Sequence, residues 1–268
     1  MTCSWLSGRI AWPIASKKRR LFSSRHLLWA SQSVSGPRDG RTHWKGIFYP
    51  DDRPKAKWLE YYAQEFDTVE LNATFYRLPK ETTFENWFRR TPEGFLWAVK
   101  ASRYITHIKR LTDVNEALTR FYDRAVDLGS KFGPLLFQLP PSLKYDAHLA
   151  KTFLEHLDPS FRHAIEVRHP SWLNSEFFRQ LHNNNTAFCI SDTAGRYPYQ
   201  EEITADFVYI RLHGSHKLYA SEYTAEELEM WAKKIMGWGR ETFLYFDNDF
   251  EGYAVRNAKM LKKLLADQ

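Results

Sequence analysis

The sequence predicts an α/β barrel of parallel strands, and three observations support this fold class. Short apolar runs alternate with amphipathic stretches of about a dozen residues from residue 46 onward, as in parallel strands joined by helical crossovers. Polar side chains recur at the C-terminal ends of these runs. The glycine-rich turns that open many doubly wound sheets, G-x-G-x-x-G and G-x-x-x-x-G-K-[ST], do not occur. A doubly wound open sheet is therefore the weaker alternative.

Seven strands are predicted from short runs rich in β-branched and aromatic residues. They lie at 67–71, 95–100, 134–139, 163–168, 186–191, 206–212 and 242–247. A closed barrel of eight strands needs one more, which has to precede the first helix. The segment 31–40 has only a weak strand pattern, around Val34. The first strand is therefore predicted to be atypical or missing.

Seven helices are predicted from amphipathic periodicity. They lie at 55–66, 82–90, 113–129, 147–157, 174–184, 224–238 and 252–266. Three of them begin after a residue suited to capping: Thr112, Asn174 and Thr224. Thr224 is followed three residues later by Glu227, which predicts a capping box.

The basic residues are concentrated at the N-terminus. Residues 1–45 hold nine Lys or Arg and one acid, Asp39, whereas the remainder holds 29 basic and 31 acidic residues. The formal charge of +6 therefore comes from this prefix, and a pI of 9.1 does not indicate nucleic-acid binding by the body. We predict a disordered basic segment over 1–42, which resembles a transit peptide in composition, and a barrel domain over 43–268.

Cysteine content and hydropathy narrow the class of protein further. The two cysteines, Cys3 and Cys189, give neither a disulfide framework nor metal-ligand spacing, which is typical of a cytoplasmic protein. No apolar run reaches the ~18 residues that a membrane span needs. We therefore expect no membrane partner and no cofactor, while the oligomeric state stays open.

Strand phase predicts which side chains point into the barrel, because successive residues of a strand face opposite sides. In 163–168, Ile165 and Val167 share an apolar face that suits packing on helices, whereas Glu166 and Arg168 share the other face. The charged pair is therefore predicted to point inward near the C-terminal mouth, where barrel enzymes assemble their sites. The same reasoning adds Glu70, Asn72, Lys100, Gln138, Asp192, Arg211 and His213, and it places Cys189 outside.

Two interpretations of these inward charges remain open. They can line a ligand pocket at the barrel mouth. They can instead pair with one another, for instance Glu166 with Arg211, and plug the barrel. Apolar filling is usually no less stable than buried ion pairs, so a cluster of them at one end favours the pocket.

Six segments resemble the YecE-like family, which is catalogued as a domain of unknown function, number seventy-two. They are VELNATFYRLP (69–79), WAVKASRYITH (97–107), LLFQLPPSL (135–143), AIEVRHPSW (164–172), FVYIRLHG (207–214) and YFDNDFEGYAVRNA (245–258). The resemblance spans residues 44 to about 265 and implies a TIM barrel, with no established activity for most members. It implies polar positions at Glu70, Asn72, Lys100, Arg103, His107, Gln138, Glu166, Arg168, Asp192, Arg211, His213, Asn248 and Asp249.

The N-terminus departs from that family. Its members open with a strand of the type I-x-I-G-T-S-G-[WY], where this chain reads SVSGPRDGRT (33–42). This difference puts the first strand, and one wall of the expected pocket, in question.

Two classes of function are predicted from the polar set. The first is an enzyme for a small anionic or phosphate-bearing substrate, in which Arg168, Arg211 and Lys100 hold the anion. Catalytic proton transfer falls to Glu166, Asp192 and His213. The other substrate-binding candidates are Glu70, Asn72, Arg103, His107, Gln138, His169, Asn248 and Asp249.

The second class is a nucleic-acid- or nucleotide-binding protein, including a nuclease. Aromatic residues that follow the strand ends can stack on bases. They are Phe75, Tyr76 and Tyr104. Such residues more often pack a loop onto the barrel, which is the default interpretation of them.

Metal and nucleophilic chemistry have weaker support. Glu70, Glu166, His169, Asp192 and His213 include suitable metal-ligand types, but no H-x-H or H-E-x-x-H word occurs and nearby arginines would repel a cation. No metal is therefore predicted. There is also no G-x-S-x-G nucleophile elbow.

Overall fold

The computed structural model describes residues 26–28 and 44–267. These residues form eight strands: β1 His26–Leu28, β2 Thr68–Leu71, β3 Leu96–Lys100, β4 Phe132–Gln138, β5 His163–Glu166, β6 Ala187–Asp192, β7 Phe207–Leu212 and β8 Glu241–Phe246. All neighbouring strands are parallel, in the order β1-β8-β7-β6-β5-β4-β3-β2. The sheet is a nearly closed barrel flanked by helices, which confirms the predicted fold class.

The described α-helices are α1 Trp58–Glu65, α2 Ala73–Tyr76, α3 Glu81–Arg90, α4 Asn115–Ala125, α5 Ala147–Glu155, α6 Ser175–Asn183, α7 Ala225–Trp238 and α8 Tyr253–Ala266. Helices follow every described strand except β6, which a loop joins directly to β7, so the predicted alternation is confirmed. The short elements after strand ends that were not predicted include α2 and a π-helical turn, Tyr104–Ile108. Both are too short to show helical periodicity in the sequence.

Two of the three predicted helix caps are confirmed. The Asn174 side chain accepts from the backbone N–H of Phe177, and Thr224 forms a capping box with Glu227. Thr112 is not a cap, because α4 begins later and follows Val114 without a side-chain cap. The intervening chain makes a turn instead, with Asp113 at a positive φ of 48°.

The inside of the barrel is filled by a separate apolar cluster below the polar mouth. Small residues of β3 and β5, Ala98 and Ala164, lie beside the large rings of Tyr209 and Tyr245. These two rings are 5.2 Å apart. The Tyr209 hydroxyl donates to Glu70 Oε2 at 2.7 Å. This apolar layer is therefore the floor on which the polar residues of the mouth rest.

Cys189 points into the barrel, so the prediction that it faces outward is wrong. It belongs to the same interior cluster as Tyr209, whereas its neighbour Phe188 packs against Phe178 of α6 at 5.4 Å. The interior has room for the small side chains of β6, and the large ones fill the space under the helices. Asp192 shares the phase of Phe188 and therefore belongs to the outer face.

A short first strand is present where disorder was predicted. Residues 26–28 pair in register with Thr242, Phe243 and Leu244 of β8. The prediction of disorder over 1–42 does not hold for these three residues, which are too few to show strand periodicity. Val34 and the rest of that segment lie outside the described residues.

Removing residues 1–28 is expected to lower the thermal midpoint more than removing residues 1–25. Only the longer deletion takes away β1 and leaves backbone groups of β8 without their partners. We expect a difference of about 1–3 kcal/mol in the free energy of unfolding, or about 3–10 °C in midpoint. Circular dichroism melts of both truncated chains measure it, and equal midpoints would show that β1 adds no stability.

Candidate functional site

A cavity of about 600 Å³ opens at the C-terminal mouth of the barrel. Its walls come from the ends of six strands, β2, β3, β4, β5, β7 and β8, and from the loops that follow them. Eight of the predicted site residues line it: Asn72, Lys100, Arg103, His107, Gln138, Arg168, Arg211 and Asp249. Phe75, Tyr76, Tyr219 and Asp247 complete the lining.

Arg211 of β7 lies at the base of this cavity and is held by three carboxylates. Its Nη1 donates to Glu166 Oε2 at 2.7 Å, and its Nη2 lies 2.9 Å from Glu70 Oε1 and 3.3 Å from Asp247 Oδ2. The side chain is 1% exposed. These carboxylates come from β5, β2 and the end of β8, so Arg211 links strands across the barrel. Its charge is thus already compensated by buried partners.

Arg168 lies above Glu166 and closer to solvent. Its Nε donates to Glu166 Oε1 at 2.9 Å, and its side chain is 11% exposed. The guanidinium also lies over the ring of Tyr197, 4.4 Å from the centroid. Glu166 therefore bridges two arginines. Burial raises the pKa of Glu166, but the charges of Arg168 and Arg211 outweigh it and hold the pKa well below its ordinary value.

Gln138 joins Arg168 to Lys100. The amide oxygen Oε1 of Gln138 accepts from Lys100 Nζ at 2.8 Å and from Arg168 Nη2 at 3.0 Å. Gln138 is the register partner of Glu166 on the adjacent strand, so β4 and β5 set this spacing. Two cationic groups thus converge on one neutral oxygen at the cavity wall.

Two lining residues have strongly lowered pKa values. Burial, reinforced by the charge of Arg211, lowers the pKa of Lys100 to about 8. Burial and the nearby charges of Lys100 and Arg168 lower the pKa of His107 to about 4. His107 is therefore a neutral imidazole at neutral pH. Its Nδ1 forms a hydrogen bond with Thr106 Oγ1 at 2.8 Å.

Asp247 is a site residue that the sequence reasoning missed. It follows β8 directly, lines the cavity and contacts both Arg211 and His213. His213 Nδ1 lies 2.8 Å from Asp247 Oδ2. Asp247 shares the inward phase of Tyr245, which was the available signal. The family resemblance directed attention to the next two positions instead.

The three residues predicted to be catalytic do not line the cavity. Glu166 and His213 are buried behind Arg168, Arg211 and Asp247. Asp192 lies on the outer side of β6, where Oδ2 accepts from the Tyr223 hydroxyl at 2.9 Å and Oδ1 caps the turn at Ala194. The structure therefore brings Glu166 and His213 next to the cavity but leaves Asp192 out of it.

Three predicted substrate-binding residues do not line the cavity and contact other parts of the protein instead. Glu70 is buried and accepts from Arg211, Tyr209 and Asn72. His169 is a local cap, because its Nδ1 accepts from the backbone N–H of Ser171. Asn248 donates to the Ser221 carbonyl and to Asn257 Oδ1, which ties two loops together.

Aromatic side chains stand exposed around the mouth. Tyr76 and Tyr219 line the cavity with 54% and 41% of their surface exposed, and Tyr104 is 45% exposed beside Arg103. Phe75, in contrast, packs edge-on against His107 at 5.0 Å and lies under Lys100. Tyr76 also packs edge-on against Phe75 at 5.0 Å, and Tyr219 packs against His213 at 5.4 Å, so the tyrosines combine loop packing with an exposed surface.

Within residues 26–28 and 44–267, no group of three or more His, Cys, Asp or Glu side chains is arranged to hold a metal ion. In the same part of the chain, no helix combines the length and the apolarity that crossing a bilayer requires.

Comparison with known proteins gives consistent relatives. The UPF0759 protein YunF of Bacillus subtilis is 26% identical over 263 residues, which cover 84% of this chain and 93% of that protein. The UPF0759 protein YecE of Escherichia coli K12 is 28% identical over 213 residues, covering 70% and 77%. A crystal structure of a DUF72 family protein from Thermotoga maritima MSB8 superposes with a TM-score of 0.77 at 29% identity, covering 90% of this chain and all of that one.

A family model decides the assignment. The model described as "Protein of unknown function DUF72" matches residues 40–268, which include every strand and helix after β1. The match confirms the resemblance found in the sequence motifs. The chain belongs to the DUF72 family.

Proposed function

We propose that the cavity at the barrel mouth binds a small anionic or phosphate-bearing substrate. The observation that carries this proposal is the convergence of Lys100 and Arg168 on the single amide oxygen of Gln138. Their nitrogen atoms are then at most about 6 Å apart, and two charges at that distance repel by roughly 3 kcal/mol at an effective dielectric constant of 20. Glu166 offsets part of this repulsion through Arg168. An anion between the two cations removes the rest.

The assignment of cations differs from the one predicted. Arg211 already contacts three carboxylates. Its charge is compensated by them at the base of the site, so we do not assign it to the ligand. Lys100 and Arg168 face the cavity, and Arg103 stands exposed at its rim without a carboxylate partner among the described residues. A guanidinium and an ammonium approaching from two walls match the oxygens of a phosphate or carboxylate.

Proton transfer at this site falls to groups that reach the cavity. Asp247 and the neutral His107 line it, whereas Glu166 and His213 act on the ligand only through their neighbours. An imidazole that stays unprotonated at neutral pH can accept a proton from a bound substrate. We retain the cytoplasmic location as a prediction from the cysteine content.

Inorganic phosphate is expected to raise the thermal midpoint of the protein. Binding to the folded state alone stabilises it by about 1–3 kcal/mol at concentrations of roughly 10 to 100 times the dissociation constant, or about 2–10 °C. Arg168→Met and Lys100→Met are each expected to remove most of this rise, because each takes away one of the converging cations. Differential scanning fluorimetry at constant ionic strength, with chloride as reference, measures it.

Arg110→Met is the matched control for this experiment. Arg110 follows the same strand as Lys100 but bonds to Ser142 and lies outside the cavity. The control variant should keep the full response to phosphate. No response in the unmodified protein, or an equal loss in Arg110→Met, would contradict the proposed anion site.

A nucleotide or single-stranded nucleic acid is the second candidate ligand. The exposed rings of Tyr76, Tyr104 and Tyr219 favour it, because a base can stack on such rings while its phosphate lies on the cations. Fluorescence anisotropy with a labelled oligonucleotide at several salt concentrations separates the candidates. A steep loss of affinity with salt indicates several phosphate contacts, and no binding at low salt excludes this candidate.

A further inference from the structure

Lys100 differs from the other buried cations of the site in its partners. Arg168 and Arg211 each form an ion pair with at least one carboxylate, whereas Lys100 Nζ donates to the neutral amide of Gln138. Among the described residues, no carboxylate lies within ion-pair distance of Lys100. The residue is 8% exposed and lines the cavity, so its nitrogen is sheltered yet open to a ligand.

The surroundings of Lys100 stabilise the neutral amine. The charged or titratable groups that act on it or respond to its charge come from five elements: Glu70, His107, Glu166, Arg168, Arg211 and Asp247. Burial is the largest influence and lowers the pKa of Lys100 to about 8, with Arg211 acting in the same direction. At pH 7 roughly a tenth of such a lysine is the free amine, roughly 300 times more than for an ordinary lysine.

We infer that Lys100 is a nucleophile that forms an imine with a carbonyl group of the anionic ligand. This step rests on the anion site proposed above. The neutral amine attacks the carbonyl carbon, a C–N bond forms, and one amine proton moves to the former carbonyl oxygen. That oxygen then leaves as water with the second amine proton, and a C=N bond remains. No oxidant or reductant takes part in the step.

The geometry also defines the substrate class. Arg168 holds the anionic group, and Lys100, which shares Gln138 with it, reaches a carbonyl a few bonds away from that group. The ring of Phe75, with its centroid 4.6 Å from Lys100 Nζ, shields the nitrogen from water on one side. A small aldehyde or ketone with a carboxylate or phosphate fits this arrangement. Glyoxylate and glycolaldehyde phosphate serve as one probe of each kind.

Trapping with a mild hydride reagent tests the imine. The full chain is incubated at pH 7 with either probe and sodium cyanoborohydride, which reduces an imine to a stable amine, and peptides are mapped by mass spectrometry. Modification of Lys100 is expected to be at least about tenfold faster than modification of Lys109 on the same connection. Excess inorganic phosphate should slow it by competing for Arg168.

Two variants and one parallel measurement separate the outcomes. Lys100→Arg should lose the fast adduct, and Lys109→Arg, which lies outside the cavity, should retain both the adduct and the phosphate-induced rise in thermal midpoint. Equal labelling of Lys100 and exposed lysines, with the phosphate response intact, would overturn the imine and leave the anion site standing. Loss of both the phosphate response and the Lys100 adduct in the unmodified chain would overturn both.

Discussion

Replacing Arg211 with alanine is expected to lower the free energy of unfolding by about 3–5 kcal/mol. The guanidinium is 1% exposed and contacts Glu70, Glu166 and Asp247. Removing it leaves three buried carboxylates next to one another without their shared partner. An uncompensated buried charge costs far more than the pair contributed, because the carboxylates cannot regain water without opening the barrel mouth.

Urea denaturation at pH 7 measures this loss, and two further variants show its origin. Arg124→Ala removes one partner of an exposed pair, Arg124 with Glu81 at 2.8 Å, and should cost under about 1 kcal/mol. Adding Glu70→Gln to Arg211→Ala should restore part of the stability, because it removes one of the stranded charges. An Arg211→Ala loss no larger than that of Arg124→Ala would mean that water reaches these carboxylates.

The strand phases could be predicted because the outer face of a barrel strand is restricted to apolar residues. Ile165 on β5 and Val167 directly after it predicted the inward direction of Glu166 and Arg168, and the structure agrees. Strand β6 lacked this signal, since Phe188, Cys189 and Ile190 are all apolar. Cys189 and Asp192 were therefore assigned to the wrong faces.

The partners of each charge could not be predicted in the same way. Strand phase places Arg211 and Lys100 at the same mouth, but it does not show that Arg211 has three carboxylates and Lys100 an amide. That difference depends on strand register, such as the pairing of Gln138 with Glu166, and on which loops fold over the opening. It decides which cation is available to a ligand.

The position of β1 could not be predicted from the sequence, for a related reason. Three residues, 26–28, pair with β8, and such a short run carries no period against a basic background. Its pairing depends on the free edge of β8, which exists only once the rest of the barrel has formed. Tertiary context therefore selects this strand.

Replacing Glu166 with glutamine is expected to cost about 2–4 kcal/mol at pH 7 and to change how stability depends on pH. Glu166 accepts from Arg168 at 2.9 Å and from Arg211 at 2.7 Å, and glutamine loses both charge-assisted bonds. Although burial alone would raise its pKa, the two arginines hold the pKa of Glu166 below its ordinary value. The pKa of Asp247 is also lowered, by His213 and Arg211 against its burial.

A lowered folded-state pKa stabilises the protein above the unfolded pKa, which is about 4.3 for Glu, and this contribution disappears as the pH falls toward the folded pKa. Stability of the unmodified chain should therefore decrease steeply from about pH 5 downward, because the unfolded chain binds protons in this range that the folded chain does not.

Glu166→Gln should start lower at pH 7 and decrease less steeply, so that the two stability curves approach each other in acid. Urea denaturation at several pH values between about 7 and 2.5 gives both curves. Glu116→Gln, which removes the exposed partner of Arg120, is the control and should run parallel to the unmodified chain. Parallel curves for Glu166→Gln as well would show that Glu166 is not held ionised by its two arginines.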